Sequence, residues 1–428
     1  MKSCEILLTD LRAGKWDSVL SALYAGDIGP ARERAAHTVE RFLALYGNAA
    51  DAVLFSGPGR TEIGGNHTDH QHGHVLCGSV DLDILACAAP TGTNAVRILS
   101  EGYPTVEVAL DSLFPREVER NSSAALVRGV AARLTELGYA ISGFDAYAVS
   151  DVIPGSGLSS SAAYEVLIGN IFNHFFCHGA LDAVTIAKAG QYAENVYFGK
   201  PCGLMDQMGS AVGGAVAIDF CDPADPVVER VDYDFSASGH ALCIVDTGSC
   251  HADLTDDYAD IPREMAAVAA HFGKSFLREV PEADFHAEIT ALRGQCGDRA
   301  VLRAMHYYAD NARAVLEAEA LKAGEFDRFL ALVNESGLSS QLLLQNIFSP
   351  AAPGEQAVGL ALAVGRELLG GRGAIRVHGG GFAGTIQAFV PNALLNRFKN
   401  GMEAVLGEGK CHILHIRPKG GCVVLDPH

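Results

Sequence analysis

Residues 151–163 read Asp-Val-Ile-Pro-Gly-Ser-Gly-Leu-Ser-Ser-Ser-Ala-Ala, and no other stretch restricts the fold of this chain so tightly. Before them, Phe144 to Ile153 alternates in polarity and predicts a strand. After them, Tyr164, Leu167, Ile168, Ile171, Phe172 and Phe175 recur at helical spacing. The chain must therefore pass from a strand, through a glycine-rich loop, into a buried helix. Gly155 and Gly157 lack a Cβ, so their backbone can approach a ligand closely. The helix N-terminus adds unpaired N–H groups and the positive end of a dipole, a combination that favours an anion and most often a phosphate. An ordinary capped turn fits the same pattern. The loop is neither a Walker A loop, since no Gly-Lys-Ser/Thr follows, nor the dinucleotide fingerprint, which needs a third glycine.

A chain of 428 residues exceeds one typical core and predicts two domains. With 49% hydrophobic and 19% charged residues it belongs among globular rather than disordered proteins. A formal net charge of −19 argues against a broad nucleic-acid surface and requires any nucleotide site to be locally basic or metal-assisted. The 11 cysteines form no Cys-x-x-Cys pair, which predicts reduced thiols in a cytoplasmic protein. The first ten residues carry acidic side chains where a signal peptide has its apolar core. No apolar run approaches the roughly 18 residues of a membrane span. Small molecules are the expected partners, with no nucleic acid and no membrane, and the expected state is a monomer.

Residues 5–47 read as helical, with Ala35, Val39, Phe42, Leu43 and Leu45 on an apolar side and Gly47 as a stop. Val53–Phe55 reads as a short strand before a Ser-Gly-Pro-Gly turn, and 74–90 as strands. Helices are expected at 121–137 and 181–198, and buried strands at 215–220 and 241–246. The polar stretch 221–239, with two prolines, marks the domain boundary. The divisions are 1–29, an extra N-terminal segment with no assigned role, then 30–228 and 229–428. Beyond the boundary, helices near 259–273, 298–322, 325–347 and 355–369 precede strands at 375–378 and 385–390, a helix at 392–406 and a strand at 422–425. Strands and helices mix without strict alternation, so the fold class is α+β rather than a doubly wound sheet.

Three clusters are candidates for chemistry. The run Gly57 to His70 sets Arg60, Glu62, Asn66, His67, Thr68 and Asp69 among glycines. Polyol recognition needs such a mixture of donors and acceptors. A polar surface turn is the plainer reading. A metal site is a third, since His67, His70, His72 and His74 lie close together, although their spacing fits neither one helix face nor a zinc module. The second cluster is Glu194, followed by Asp206 in Cys-Gly-Leu-Met-Asp-Gln; Asp206 is either a base or a cap in a solvated turn. The third is Arg376 to Gly384, whose triple glycine, Ala383 and Gly384 tolerate unusual backbone angles. It is either a tight hairpin or a backbone surface closing over a ligand.

Taken in this order, the clusters resemble the GHMP kinases, and the galactokinase branch most closely. The three family motifs correspond to Gly59–Asp69, Pro154–Ala162 and Gly379–Gly384, and residues 201–207, Tyr258 and Asn334-Glu335-Ser336 are also similar. The resemblance covers residues 30–428. It implies an N-terminal α+β domain like ribosomal protein S5 domain 2, a ferredoxin-like C-terminal domain and an active site between them. It implies a sugar 1-kinase acting on galactose, with ATP as co-substrate and Mg²⁺ as cofactor. Asp206 would align the anomeric hydroxyl and accept its proton, with Arg60 steadying the nucleophile and the transferring phosphoryl. Gly155, Ser156, Gly157, Leu158, Ser159, Ser160 and Ser161 would wrap the ATP phosphates, and Ser161 and Glu194 would hold Mg²⁺. Asn66, His67, Thr68, Asp69 and Gly203 would bind the sugar, and Tyr258 would close the site. An Asp beside an Arg has a lowered pKa, so Asp206 is expected to be ionised at neutral pH.

The chain also departs from the pattern. Asn66 stands where galactokinases carry Glu, and an amide donates as well as accepts. That leaves arabinose, galacturonate or galactosamine as alternatives to galactose. Glu62 replaces the usual Asn, and Ala383 adds a methyl group where a glycine is usual. The segment 336–341 lacks the usual histidine. A non-catalytic sensor of galactose and ATP is a further alternative, opposed by the intact Ser159–Ala163 run and by Asp206.

Overall fold

Two sheets organise the chain, whose computed structural model describes residues 4–49, 51–152, 157–249 and 254–426. The first sheet contains β1 (Val53–Gly64), β2 (His74–Pro90), β3 (Ala95–Ser100), β4 (Val106–Ala109), β5 (Phe144–Ser150), β6 (Ala215–Asp219) and β7 (Val227–Val231). The second contains β8 (His240–Asp246), β9 (Ala374–His378), β10 (Thr385–Pro391) and β11 (Cys411–Leu414). A final strand, β12 (Cys422–Leu425), returns to the first sheet beside β1. The order there is β12-β1-β2-β5-β3-β4, with β6 on another stretch of β2 and β7 outside it.

The apolar run in β2 is explained by layers on both faces. Ile84, Ala86 and Ala88 pack with the helices Ser123–Glu136 and Ser160–Phe176. Leu85, Cys87 and Ala89, which point the other way, pack with Cys4–Arg12 and Ile28–Tyr46. The N-terminal segment is therefore a structural layer. It buries Leu7, Leu8, Leu11, Leu20 and Leu23, each burial favouring folding by about 1.5–3 kcal/mol relative to exposure. Gly47 ends its long helix in a left-handed conformation, while Leu45 lies off the apolar face, exposed. Tyr24 Oη donates to the buried Asp83 carboxylate at 2.7 Å. Arg34 bridges Asp83 to Asp151, just before the glycine-rich loop.

β1 corrects the expectation of a turn after Phe55. The whole of Val53–Gly64 is buried strand, and its register on β2 shifts between Pro58 and Arg60 and again between Glu62 and Gly64. Such irregularities admit Pro58, which cannot donate to a regular ladder. Gly57 lies against the helix Ser160–Phe176 so closely that a Cβ there would be 2.3 Å from the Ala163 carbonyl.

The second sheet runs β11-β8-β10-β9, antiparallel throughout. In chain order this is 4-1-3-2, the ferredoxin-like arrangement. The helices Ala357–Leu369 and Leu395–Leu406 cover it. β7 straddles the expected boundary at 228/229 and β12 crosses back, so the first domain is built from two separate stretches of chain. Among the described residues no helix is long and apolar enough to cross a membrane, and every cysteine is a free thiol.

Candidate active site

Arg60 projects from β1 onto Asp206, which lies in the first turn of the helix Met205–Val212. Nε and Nη2 both reach Asp206 Oδ1 at 2.7 Å. Nη1 donates to the Gly157 carbonyl, and the Arg60 backbone N–H donates to Leu158 O at 3.0 Å. The Arg60 guanidinium thus ties the glycine-rich loop to a carboxylate that lies 146 residues from Arg60 in sequence. Burial alone would raise the Asp206 pKa. The Arg60 charge, with the Ser159 hydroxyl and Lys200, outweighs burial and holds the carboxyl below its usual range.

Gly155 and Ser156 lie outside the described residues. Gly157 and Ser159 both take left-handed conformations, at φ 72° and 55°, and Leu158 turns into the core. Ser159, Ser160 and Ser161 stand at the start of the helix Ser160–Phe176. Ser161 Oγ donates to Glu194 Oε1 at 3.2 Å. Glu194 belongs to a π-helical turn, Ala193–Phe198, which continues the helix Ala183–Tyr192 and carries this carboxylate buried. Such turns interrupt helices frequently at functional sites. The Ser161 and Glu194 oxygens suit a magnesium ion, which takes few protein ligands and prefers oxygen.

Around this pair are three residues that the sequence reading missed. Lys200 Nζ lies 3.4 Å from Glu194 Oε1. Gln207 Nε2 donates to Glu194 Oε2 and to Glu165 Oε2, both at 2.9 Å. Glu165 is fully buried, and burial together with the Glu194 charge pushes its pKa well up. The one available signal for it was an acidic residue inside an otherwise apolar helix.

His67, Asp69, Gly203 and Tyr258 meet on the other side of Asp206. His67 Nε2 donates to Gly380 O at 2.9 Å, and burial lowers its pKa to about 3, so the ring is neutral. Tyr258 stacks obliquely on it, with centroids 5.1 Å apart, and its hydroxyl is 3.1 Å from His70 Nε2. Asp69 packs on Gly203 so tightly that a Cβ there would be 2.1 Å from Oδ2. A cavity of about 890 Å³ runs past Arg60, Asp69, Lys200, Gly203, Asp206 and Tyr258. An adjoining smaller recess of about 90 Å³ adds Glu62 and His67 to its walls.

Asn66 and Thr68 stand apart from this group. Asn66 is fully buried, and its amide is saturated. Nδ2 donates to Glu62 at 2.9 Å and to Gly379 O at 2.8 Å, while Oδ1 accepts from Ser340 at 3.1 Å and Asn346 at 2.9 Å. Thr68 Oγ1 lies 2.8 Å from Gly65 O and 2.6 Å from His74 O. Neither side chain offers a free polar group to the cavity, because the helix Asp298–Lys322 presses on this loop, with Asp310 accepting from Asn66 N at 2.7 Å. The histidines diverge as well: His72 stacks on Phe276 at 3.7 Å and His74 pairs with Asp219 at 3.2 Å. Among the described residues no three His, Cys, Asp or Glu side chains form a metal cluster.

The third motif closes the recess from the second domain. Left-handed backbone occurs at Gly379, Gly381, Phe382 and Gly384, so Phe382 rather than Ala383 is the unusual position. A Cβ on Gly157 would lie 2.6 Å from Thr385 Oγ1, which puts the loop directly on the second domain. His378 Nε2 is 3.1 Å from Thr61 Oγ1 and accepts from Glu62 N at 3.3 Å; Gln387 Nε2 donates to Thr61 Oγ1 at 2.7 Å. Arg376 Nη2 reaches Glu62 Oε1 at 2.6 Å. Burial pushes Glu62 up to about 7 even though Arg376 and Arg60 pull it down.

Comparison with known proteins matches this geometry to a family. Residues 125–214 match the GHMP kinases N-terminal domain, and residues 40–90 match the galactokinase galactose-binding signature. A galactokinase from Lactococcus lactis, solved with galactose, is 24% identical with a TM-score of 0.77, over 91% of this chain and 99% of that one. Mevalonate kinase from Methanococcus jannaschii is 13% identical with a TM-score of 0.60, over 85% and 98%. Phosphomevalonate kinase from Streptococcus pneumoniae is 14% identical with a TM-score of 0.57, also over 85% and 98%. The chain thus carries the GHMP kinases N-terminal domain and shares the fold of galactokinase and the mevalonate kinases, the features of a phosphotransferase with an alcohol group as acceptor. Within that class it carries the galactokinase branch's sugar-binding signature.

Proposed function

We propose that this chain transfers the γ-phosphoryl group of ATP to the anomeric hydroxyl of galactose, giving α-galactose 1-phosphate. The observation that carries the reading is the Arg60–Asp206 pair, set between Ser159–Ser161 and Glu194 on one side and Asp69, His67 and Tyr258 on the other. Phosphoryl transfer needs positioning and charge neutralisation more than covalent help. The loop and Ser159–Ser161 hold the nucleotide phosphates. Asp206, ionised, accepts the hydrogen bond of the attacking hydroxyl and takes its proton. Arg60 fixes that carboxylate and adds positive charge, as does Lys200, in a chain of net charge −19. Ser161 and Glu194 are the residues that would hold Mg²⁺, which when bound neutralises phosphate charge. Asp69 and His67 bind sugar hydroxyls, and Tyr258 covers them. The enzyme works in the cytoplasm as a monomer.

The test is ADP release from ATP and Mg²⁺ with galactose, arabinose, galacturonate and galactosamine, with phosphorus NMR locating the phosphate. Galactose should turn over, with phosphate on the anomeric oxygen. No ADP with any of the four sugars rejects the proposal. A second measurement probes the wall opposite Asp206. Gly203→Ala should raise the sugar KM about tenfold or more with little change in ATP KM, because the methyl group displaces Asp69. An unchanged KM removes Asp69 from the sugar site.

A further inference from the structure

β1 pairs regularly with β2 from Arg60 to Glu62. Residues two apart on a strand point to one face, about 6.6–6.8 Å from each other. Arg60 and Glu62 therefore emerge side by side, separated by roughly the breadth of one sugar ring. Glu62 is 3% exposed and lines the smaller recess. Both of its side-chain partners, Arg376 and Asn66, bind Oε1. Oε2 is left for the recess.

The rest of the recess is rich in acceptors. Asp69 and Asp206 line it, and His67 has Nδ1 without a partner. Three of the five Arg60 N–H groups already point at Asp206 and Gly157 O. Beside Glu62, Asp69 and Asp206 a ligand gains by bringing donors, and hydroxyl groups are donors without charge. An anionic group would meet the Asp69 and Asp206 carboxylates beside Glu62, while the two cations that also line the recess, Arg60 and Lys200, are already paired with Asp206 and Glu194.

Resting on the kinase reading above, we infer that Glu62 accepts a hydrogen bond from a hydroxyl on the side of the sugar remote from the phosphorylated oxygen, and so selects a neutral sugar over one bearing a carboxylate there. Asn66, with its amide engaged inside the protein, takes no part in that choice.

The experiment measures galactose and galacturonate binding calorimetrically without nucleotide, then steady-state turnover, for the wild type and Glu62→Gln. The wild type should bind galactose at least ~100-fold more tightly than galacturonate. Glu62→Gln should raise the galactose Kd and KM about tenfold, keep kcat within about threefold, and narrow the galactose preference about tenfold or more. A purely structural Glu62 would shift the melting temperature and leave the preference alone. The inference is overturned by a wild type that takes both sugars equally, or by a folded Glu62→Gln variant that keeps the affinity and preference of the wild type. If Glu62→Gln does not fold because Arg376 loses its partner, E62Q combined with R376M removes both buried charges and reads the same ratio. Failure of the kinase reading is distinct: no sugar yields ADP, while the two binding constants still report on Glu62. A wild type that binds neither sugar ends both.

Discussion

Asp206→Asn should yield a folded protein whose kcat has fallen about 10³-fold or more, equivalent to about 4 kcal/mol of barrier. The carboxylate sits where the glycine-rich loop, Arg60 and the Asp69–Tyr258 wall meet, and it is the group held ionised there by its neighbours. General-base and orienting contributions of this kind are each worth about 10²–10⁴ in rate. The amide keeps the size of the side chain and can still accept from Arg60 through its oxygen, but it cannot take a proton. ATP affinity should stay within about threefold, since the phosphate contacts proposed above lie on the serine side. Turnover under saturating substrates and nucleotide binding by calorimetry separate the two effects. A rate within tenfold of the wild type removes Asp206 from the chemistry. The sign of the pKa shift adds a condition: a depressed carboxyl loses its charge only in acid, so Asp206 places no limit on the rate near neutral pH.

Arg60→Met should be hit twice, in turnover and in stability. Arg60 is 6% exposed, and its removal leaves Asp206 with a charge that only Lys200 and Ser159 still favour. Breaking a fully buried pair typically costs about 3–5 kcal/mol. Asp206 retains 28% side-chain exposure to the cavity, so about 2–3 kcal/mol is expected here. Adding Asp206→Asn removes the stranded charge. The double variant should therefore regain about half of the lost stability while remaining as inactive as either single one. Denaturant unfolding of all four proteins closes the cycle. Additive losses would show that the two groups do not act as a pair.

The strand–loop–helix passage around residues 151–163 was readable from periodicity alone, because a buried helix and an alternating strand leave direct marks on the sequence. β1 was not. Its glycines and polar side chains read as a turn, whereas the structure needs Gly57 for contact with a helix backbone and needs Arg60 and Glu62 on one face of a strand. β3, β4, β7 and β11 are short strands that left no clear pattern. The site divides in the same way. Arg60 and Asp206 came together through family resemblance, since nothing local links residues 146 apart. The inward placement of Asn66 depends on Asp310, Ser340 and Asn346, which no motif connects to it. The tolerance of Ala383 follows from its φ lying outside the left-handed region, a property invisible beside three glycines.

The pairing of β12 with β1 has a consequence for biosynthesis. A nascent chain can emerge from the ribosome with the helices and most of the first sheet formed, yet β1 keeps an open edge until residues 422–425 have been made. During that interval its unpaired N–H and C=O groups are a template for any other extended segment nearby. Loss of those few residues would therefore act through self-association of newly made protein rather than through Arg60 or Asp206.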